Sequence, residues 1–181
     1  MDKLQTKQEL LAKLTALTSV PDDNNIYLKE KVKKALLKSP ELLYAFHNLD
    51  LEDTELFNPD GTINYTGDWS MYYGEEGNIH PHFYLPNTQD KVRHHLCFKT
   101  EFTDIPKYNQ IMCYMNVTFL VMVDVRDAID PLTGIARHDL IGSILRERFN
   151  WSNIFGAHCN IVSDKESFTD SNYIIRTIVL E

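Results

Sequence analysis

Fifteen residues, Ile111 to Val125, run on without Gly or Pro and are rich in β-branched and aromatic side chains. Ile111, Cys113, Met115, Val117, Phe119, Val121, Val123 and Val125 fall on one side at period two, while Met112, Tyr114, Asn116, Thr118, Leu120, Met122 and Asp124 make a mixed second side. This pattern predicts a long strand with one face fully buried. A membrane helix needs roughly 18 to 20 uninterrupted apolar residues. Asn116, Thr118 and Asp124 break this run well short of that, so no membrane partner is expected.

The residues after this run define the unit. Asp130-Pro131 and Gly134 punctuate a loop, and Leu140, Ile141, Ile144, Leu145 and Phe149 then recur at three and four over 136–150, the stripe of a core-facing helix. Two strands are expected at 157–163 and 173–180, with a polar loop over 164–172 between them. Strand, helix, strand, strand implies a mostly antiparallel sheet with a helix on one face.

Upstream, leucines 4, 10, 11, 14 and 17 mark an amphipathic helix over 3–17 within an N-terminal arm, residues 1–20. A second helix over 26–38 puts Leu28, Val32, Ala35 and Leu36 inward and Lys29, Lys31, Lys33, Lys34 and Lys38 outward, with Asn25 as its cap. Ser39-Pro40 restarts a third helix, Ser as cap and Pro in its first turn, running to about His47. Strands are expected at 82–85 and 93–102. In the latter Leu96, Phe98, Thr100 and Phe102 share one face, and His95, Cys97, Lys99 and Glu101 the other. The expected fold class is α+β, a single domain over 1–181, with about five strands packed against helices.

Residues 49–78 are the least regular part, with turn signals at Asn58-Pro59-Asp60-Gly61, Thr66-Gly67-Asp68 and Gly74-Glu75-Glu76-Gly77. Short extended pieces are expected near 62–65 and 69–73. Such a long irregular segment is unusual in a compact domain unless it binds something; the alternative is an excursion packed on itself. Tyr65, Trp69, Tyr72 and Tyr73, residues favoured at interfaces, make it the first candidate contact surface. The loop carrying Asp127 and Asp130, and the 163–172 loop carrying Lys165 and Phe168, are the other two.

The charge balance, 26 acids against 18 bases for a net −8, disfavours a protein whose task is to grip nucleic acid. The lysine face of the second helix has no interleaved aromatics for base stacking and reads as a solvated face. Cys97, Cys113 and Cys159 are odd in number and lack CxxC spacing, which predicts buried reduced thiols. The start, Met1 to Gln5, lacks a signal peptide's apolar stretch, so assembly in cytosol is expected.

Chemistry is sparsely signalled. His80 and His82 stand two apart in an extended run, and His94 and His95 are adjacent in the next strand. That geometry suits a two-His metal site, but no HExxH, GxSxG, GxGxxG or GxxxxGK[ST] pattern accompanies it. Catalytic residues, metal ligands and cofactors are therefore all read as none.

The run from Lys31 to Leu43, then Pro81-His82-Phe83-Tyr84-Leu85, Val117 to Val125, and Arg137 to Leu145 with its closing hairpin together resemble the tail-terminator (tail-completion) and related neck proteins of long-tailed bacteriophages. The likeness covers the chain from about Ile26 and rests on element order and apolar pattern. It implies a virion protein, assembled in host cytoplasm, that forms a ring with copies of itself. The ring in that family is usually a hexamer. It docks a tail tube protein to a neighbouring connector, with genomic DNA passing through the lumen without sequence-specific binding. The added first helix and the lengthened 49–78 loop depart from the family pattern and leave open a stopper or adaptor ring. Outside that resemblance, two readings stand: a cytosolic binding module or metal-dependent enzyme using His80, His82 and His95, and a nucleic-acid-associated factor using the lysine face.

Overall fold

The computed structural model describes residues 6–19, 25–84, 91–103, 114–156, 159–168 and 172–181. The expected long strand is β3, Tyr114–Asp124, and it lies at the centre of the sheet because both its neighbours pair with it antiparallel. The sheet order is β1-β2-β3-β5-β4, with β1 at Ile79–His80, β2 at His95–Thr103, β4 at Ile161–Phe168 and β5 at Tyr173–Leu180. Only β1, a parallel partner of β2, departs from antiparallel pairing. Residues 111–113 of the predicted run lie outside the described residues.

Period two sorts the faces as expected. Val117, Phe119, Val121 and Val123 of β3, Leu96 and Phe98 of β2, and Ile178 and Leu180 of β5 are buried in one core. Against that face pack α2, Asn25–Leu37; α3, Pro40–Ala45; and α5, Arg137–Phe149. Phe119 sits between Phe98 and Phe149, with ring centroids 6.4 and 5.0 Å away. Burying each such ring contributes about 1.5–3 kcal/mol. Cys97, Met122, Tyr173 and Ile175 form a smaller cluster that includes partly buried Tyr84 and Leu120.

Several boundaries differ from the sequence reading. The first strand is Ile79–His80 rather than 82–85; His82 to Tyr84 follow it as a bend and coil. Residues 164–168, read as loop, belong to β4: an edge strand has a partner on one side only and can be built from polar residues such as Ser163, Asp164, Lys165 and Glu166. Cys159 precedes that strand rather than lying in it. Asn25 is the first helical residue of α2 rather than its cap. Ser39 does precede α3 in extended conformation, but its hydroxyl donates to Glu41 at 2.9 Å instead of capping the backbone.

The 49–78 segment has more structure than its turns suggested. A short helix, α4 (Leu49–Leu51), runs into a π-helical turn, Glu52–Leu56, and Trp69–Tyr72 form a 3-10 turn where an extended piece was expected. Asp68 selects that turn by accepting the Ser70 N–H at 3.1 Å. The expected first helix is α1, Lys7–Ala16, closed by a capping box in which Thr6 and Glu9 bond reciprocally. None of its residues is buried. No helix among the described residues is long and apolar enough to cross a membrane.

Candidate functional site

Four residues far apart in sequence meet beside the end of β3. The strand stops where Asp124 accepts the N–H of Arg126 at 2.9 Å, and one 3-10 turn, Val125–Asp127, swings Asp127 back toward the sheet. Its Oδ2 lies 2.6 Å from His47 Nδ1 and 3.2 Å from His94 Nε2. Arg137, at the first turn of α5 and 1% exposed, reaches Asp127 at 3.1 Å and Asp130 at 3.4 Å. A buried guanidinium is tolerable only with such paired carboxylates.

Hydrogen-bond logic fixes the tautomers. The Asp124 N–H donates to His94 Nδ1 at 3.1 Å, so the His94 proton is on Nε2 and points at Asp127. Burial lowers the His94 pKa against the opposing pull of Asp127, which favours the neutral ring. Burial alone would raise Asp127; the hydrogen bonds from His47 and His94 and the charge of Arg137 outweigh it and hold the carboxylate below its ordinary range. Asp127 is therefore ionised and accepts from His47 Nδ1–H, which leaves His47 Nε2 as the ring's remaining position. His47 itself, past the end of α3, adopts φ +46°, a left-handed conformation that is uncommon outside glycine.

This cluster floors a cleft of about 410 Å³ lined by Phe46, His47, Asn48, Asn78, Arg93 and Asp127, among others. Asn78 ties the walls together: its amide donates to the His94 carbonyl at 2.9 Å and its Oδ1 accepts from Asn48 at 2.8 Å. Glu52, buried nearby, has its carboxyl pKa raised by burial, with His47 and Arg137 pulling the other way. Chemically the arrangement is an Asp-oriented histidine at the edge of a largely apolar cleft, the form a general base takes. The sequence reading missed it, since His47 and Asp127 are 80 residues apart and no motif links them.

The residues singled out from the sequence land in different places. Tyr72 is a correction: it is fully buried in the core, not a contact residue. Trp69 and Tyr73 pack partly against the same core, Trp69 donating its indole N–H to the Glu55 carbonyl at 3.1 Å. Burial raises Tyr73 to about 12. Tyr65 alone of the four stands out, 74% exposed. Asp130 is likewise corrected, since it is buried against Arg137; Asp127 also pairs with Arg137 but stays partly exposed at the cleft, and the exposed side chains of their loop include Ile129 and Leu132. Lys165 and Phe168 are exposed, but on β4 rather than on a loop.

The histidines whose spacing suits a two-His metal site also move apart in role. His80 Nε2 and His95 Nδ1 are 3.0 Å from each other in the interior, and Tyr84 stacks on His80 at 4.5 Å. Burial, then the neighbouring cationic groups, pushes His80 down to about 4 and His95 to about 3. His82 is exposed. Among the described residues no three His, Cys, Asp or Glu side chains converge to hold a metal ion. Cys97 and Cys159 are free buried thiols, Cys97 raised by burial to about 11, and Cys113 lies outside the described residues. The lysine face of α2 is partly neutralised, with Lys33 and Lys34 both beside Glu30.

Residues 30–181 match the YomW family. The chain is a member of the YomW family. This family is phage-derived, of the SPbeta-like prophage kind. The match begins inside α2, so α1 lies ahead of the part that identifies YomW proteins. Neither a curated protein nor a solved structure matches the chain.

Proposed function

We propose that this YomW-family protein is a structural virion subunit that forms a ring in the head-to-tail neck. In the reading we favour it is the tail terminator that caps the tail tube and joins it to the head connector. The observation that carries the proposal is α1. Leu10, Leu11 and Leu14 are 46, 50 and 53% exposed along one stripe, on a helix with no buried residue of its own. Apolar stripes of that kind are left for a partner. The phage-derived family supports the virion setting. The acidic balance, net −8, suits a lumen through which DNA slides, since a basic wall would hold it.

In this reading the partners are other copies of the chain, the tail tube protein, and a connector protein, and the protein turns over no substrate. A stopper or adaptor ring is the same proposal at a neighbouring layer. The test is to disrupt the gene in an inducible prophage and image the lysate. Heads and tails accumulating unjoined, and joined again when the gene is supplied, is the expected outcome. Intact particles of normal yield without the gene would refute it.

A second reading rests on His47. A histidine held in left-handed conformation, with Asp127 on Nδ1 and a cleft at its side, has the form of a base that activates water. Assay of the full chain against ester and phosphodiester reporters decides it. Turnover abolished by His47→Gln would establish an enzyme; none above buffer leaves the cluster a structural clamp.

A further inference from the structure

We infer that α1 of one subunit seats in an apolar groove on the next subunit, between α3 and the 57–63 turn, making a head-to-tail contact between copies of this chain. This contact depends on the ring reading and supplies the surfaces that would build the ring.

The groove has a volume of about 210 Å³ and is lined by Pro40, Glu41 and Tyr44 of α3 with Leu56, Phe57 and Ile63. Its shape is held by the protein itself: Phe57 and Ile63 are bridged across the Asn58–Gly61 turn, and Tyr44 meets Phe57 edge-on at 6.0 Å. Ile63 remains 37% exposed at its mouth. A preformed apolar slot of this kind suits the i, i+3, i+4 side chains of an amphipathic helix. On α1, Leu10 and Leu14 lie four apart with Leu11 beside them, so the three present one stripe.

Charge selects the pairing. Glu41 lines one wall of the groove, and Asp60, in the turn that joins Phe57 to Ile63 on the other wall, is exposed; none of the lining residues is Lys or Arg. On α1 the cations are Lys7 and Lys13, Lys7 on the leucine stripe one turn before Leu10. Its one acid, Glu9, is engaged in the capping box. An apolar stripe edged by cations therefore meets an apolar slot that has a carboxylate on one wall, Glu41, and another in the turn of the opposite wall, Asp60. The two surfaces are different patches of one chain, so the contact is heterologous: every copy offers one arm and one groove, and repetition closes a ring when the rotation allows.

Light scattering on the full chain and two variants tests this. Leu10→Asp/Leu14→Asp removes the arm's stripe, and Ile63→Asp spoils the groove's exposed lip; circular dichroism melts confirm that both fold. The wild type is expected to assemble, each variant to run as a monomer, and an equimolar mixture of the two to form dimers, since one intact arm meets one intact groove. Assembly of the wild type that survives in both variants overturns the arm-in-groove contact while leaving the ring standing. A variant mixture that stays monomeric overturns the pairing of these two surfaces. A wild type that is monomeric throughout overturns both.

Discussion

The buried histidine pair makes stability depend on pH with a calculable size. His80 and His95 are neutral in the fold because burial lowers them to about 4 and about 3 from the ordinary 6.5. A base with a depressed folded pKa gains its proton first in the unfolded chain. Its contribution is therefore complete above about pH 6.5 and drains away as pH falls toward the folded value. Between about pH 7.5 and pH 5 each ring forfeits about 2 kcal/mol, so the pair forfeits about 4 kcal/mol, with a slope nearing roughly 2.7 kcal/mol per pH unit. His94, also lowered by burial, pushes the same way. Carboxylates held below their ordinary range, such as Asp127, add little in this window because their unfolded pKa values lie near 4. Glu52, raised by burial, takes up its proton first in the fold and offsets part of the loss. Urea unfolding followed by the fluorescence of half-buried Trp69 measures it, and His95→Gln should reduce the loss to about half. A free energy of unfolding that is flat from pH 7.5 to 5, or a loss unchanged in His95→Gln, refutes the reasoning.

Asp127→Asn should destabilise by about 2–4 kcal/mol in the same urea assay at neutral pH, because it leaves buried Arg137 with Asp130 alone and weakens the hold on His47 and His94. Gly142→Ala should cost about 1–2 kcal/mol despite alanine's better helix propensity. The added Cβ would stand 2.9 Å from Arg176, a side chain pinned by Asp164 at 2.8 Å and by Asp139; a rise in melting temperature would refute this. Tyr72→Phe should be neutral or stabilise by up to about 1 kcal/mol, since the Tyr72 hydroxyl is buried with no hydrogen-bond partner among the described residues.

Where one side chain's environment is set by its near neighbours, the sequence could be read directly. The alternation in β3, the three-and-four stripe of α5 and the Ser39-Pro40 restart each carry their own period or cap, and each stands within a few residues of its expected place. The α+β class followed from their order. The strand expected at 157–163 is β4, shifted toward the C-terminus; its 164–168 part was hidden because an edge strand of polar residues carries no period-two signal on a solvated face. Tyr72 was misplaced for a different reason: an aromatic in an irregular stretch looks the same whether it turns inward or outward, and the 3-10 turn capped by Asp68 turns it inward. The His47, His94, Asp127 and Arg137 cluster was invisible in principle, since only the packing of α3 and α5 on one face of the sheet brings together residues this distant. The one local hint was Asp127 and Asp130 preceding Arg137 across an Asp-Pro turn, a loop with more charge than its apolar tip needs.

Everything proposed for this YomW-family protein turns on whether copies of it close on one another. Negative-stain electron microscopy of the purified chain at high concentration, alone and mixed with connector and tail tube proteins, examines that directly. Annular particles of uniform diameter are the predicted result, and their absence in favour of a monodisperse monomer under all of these conditions would contradict it.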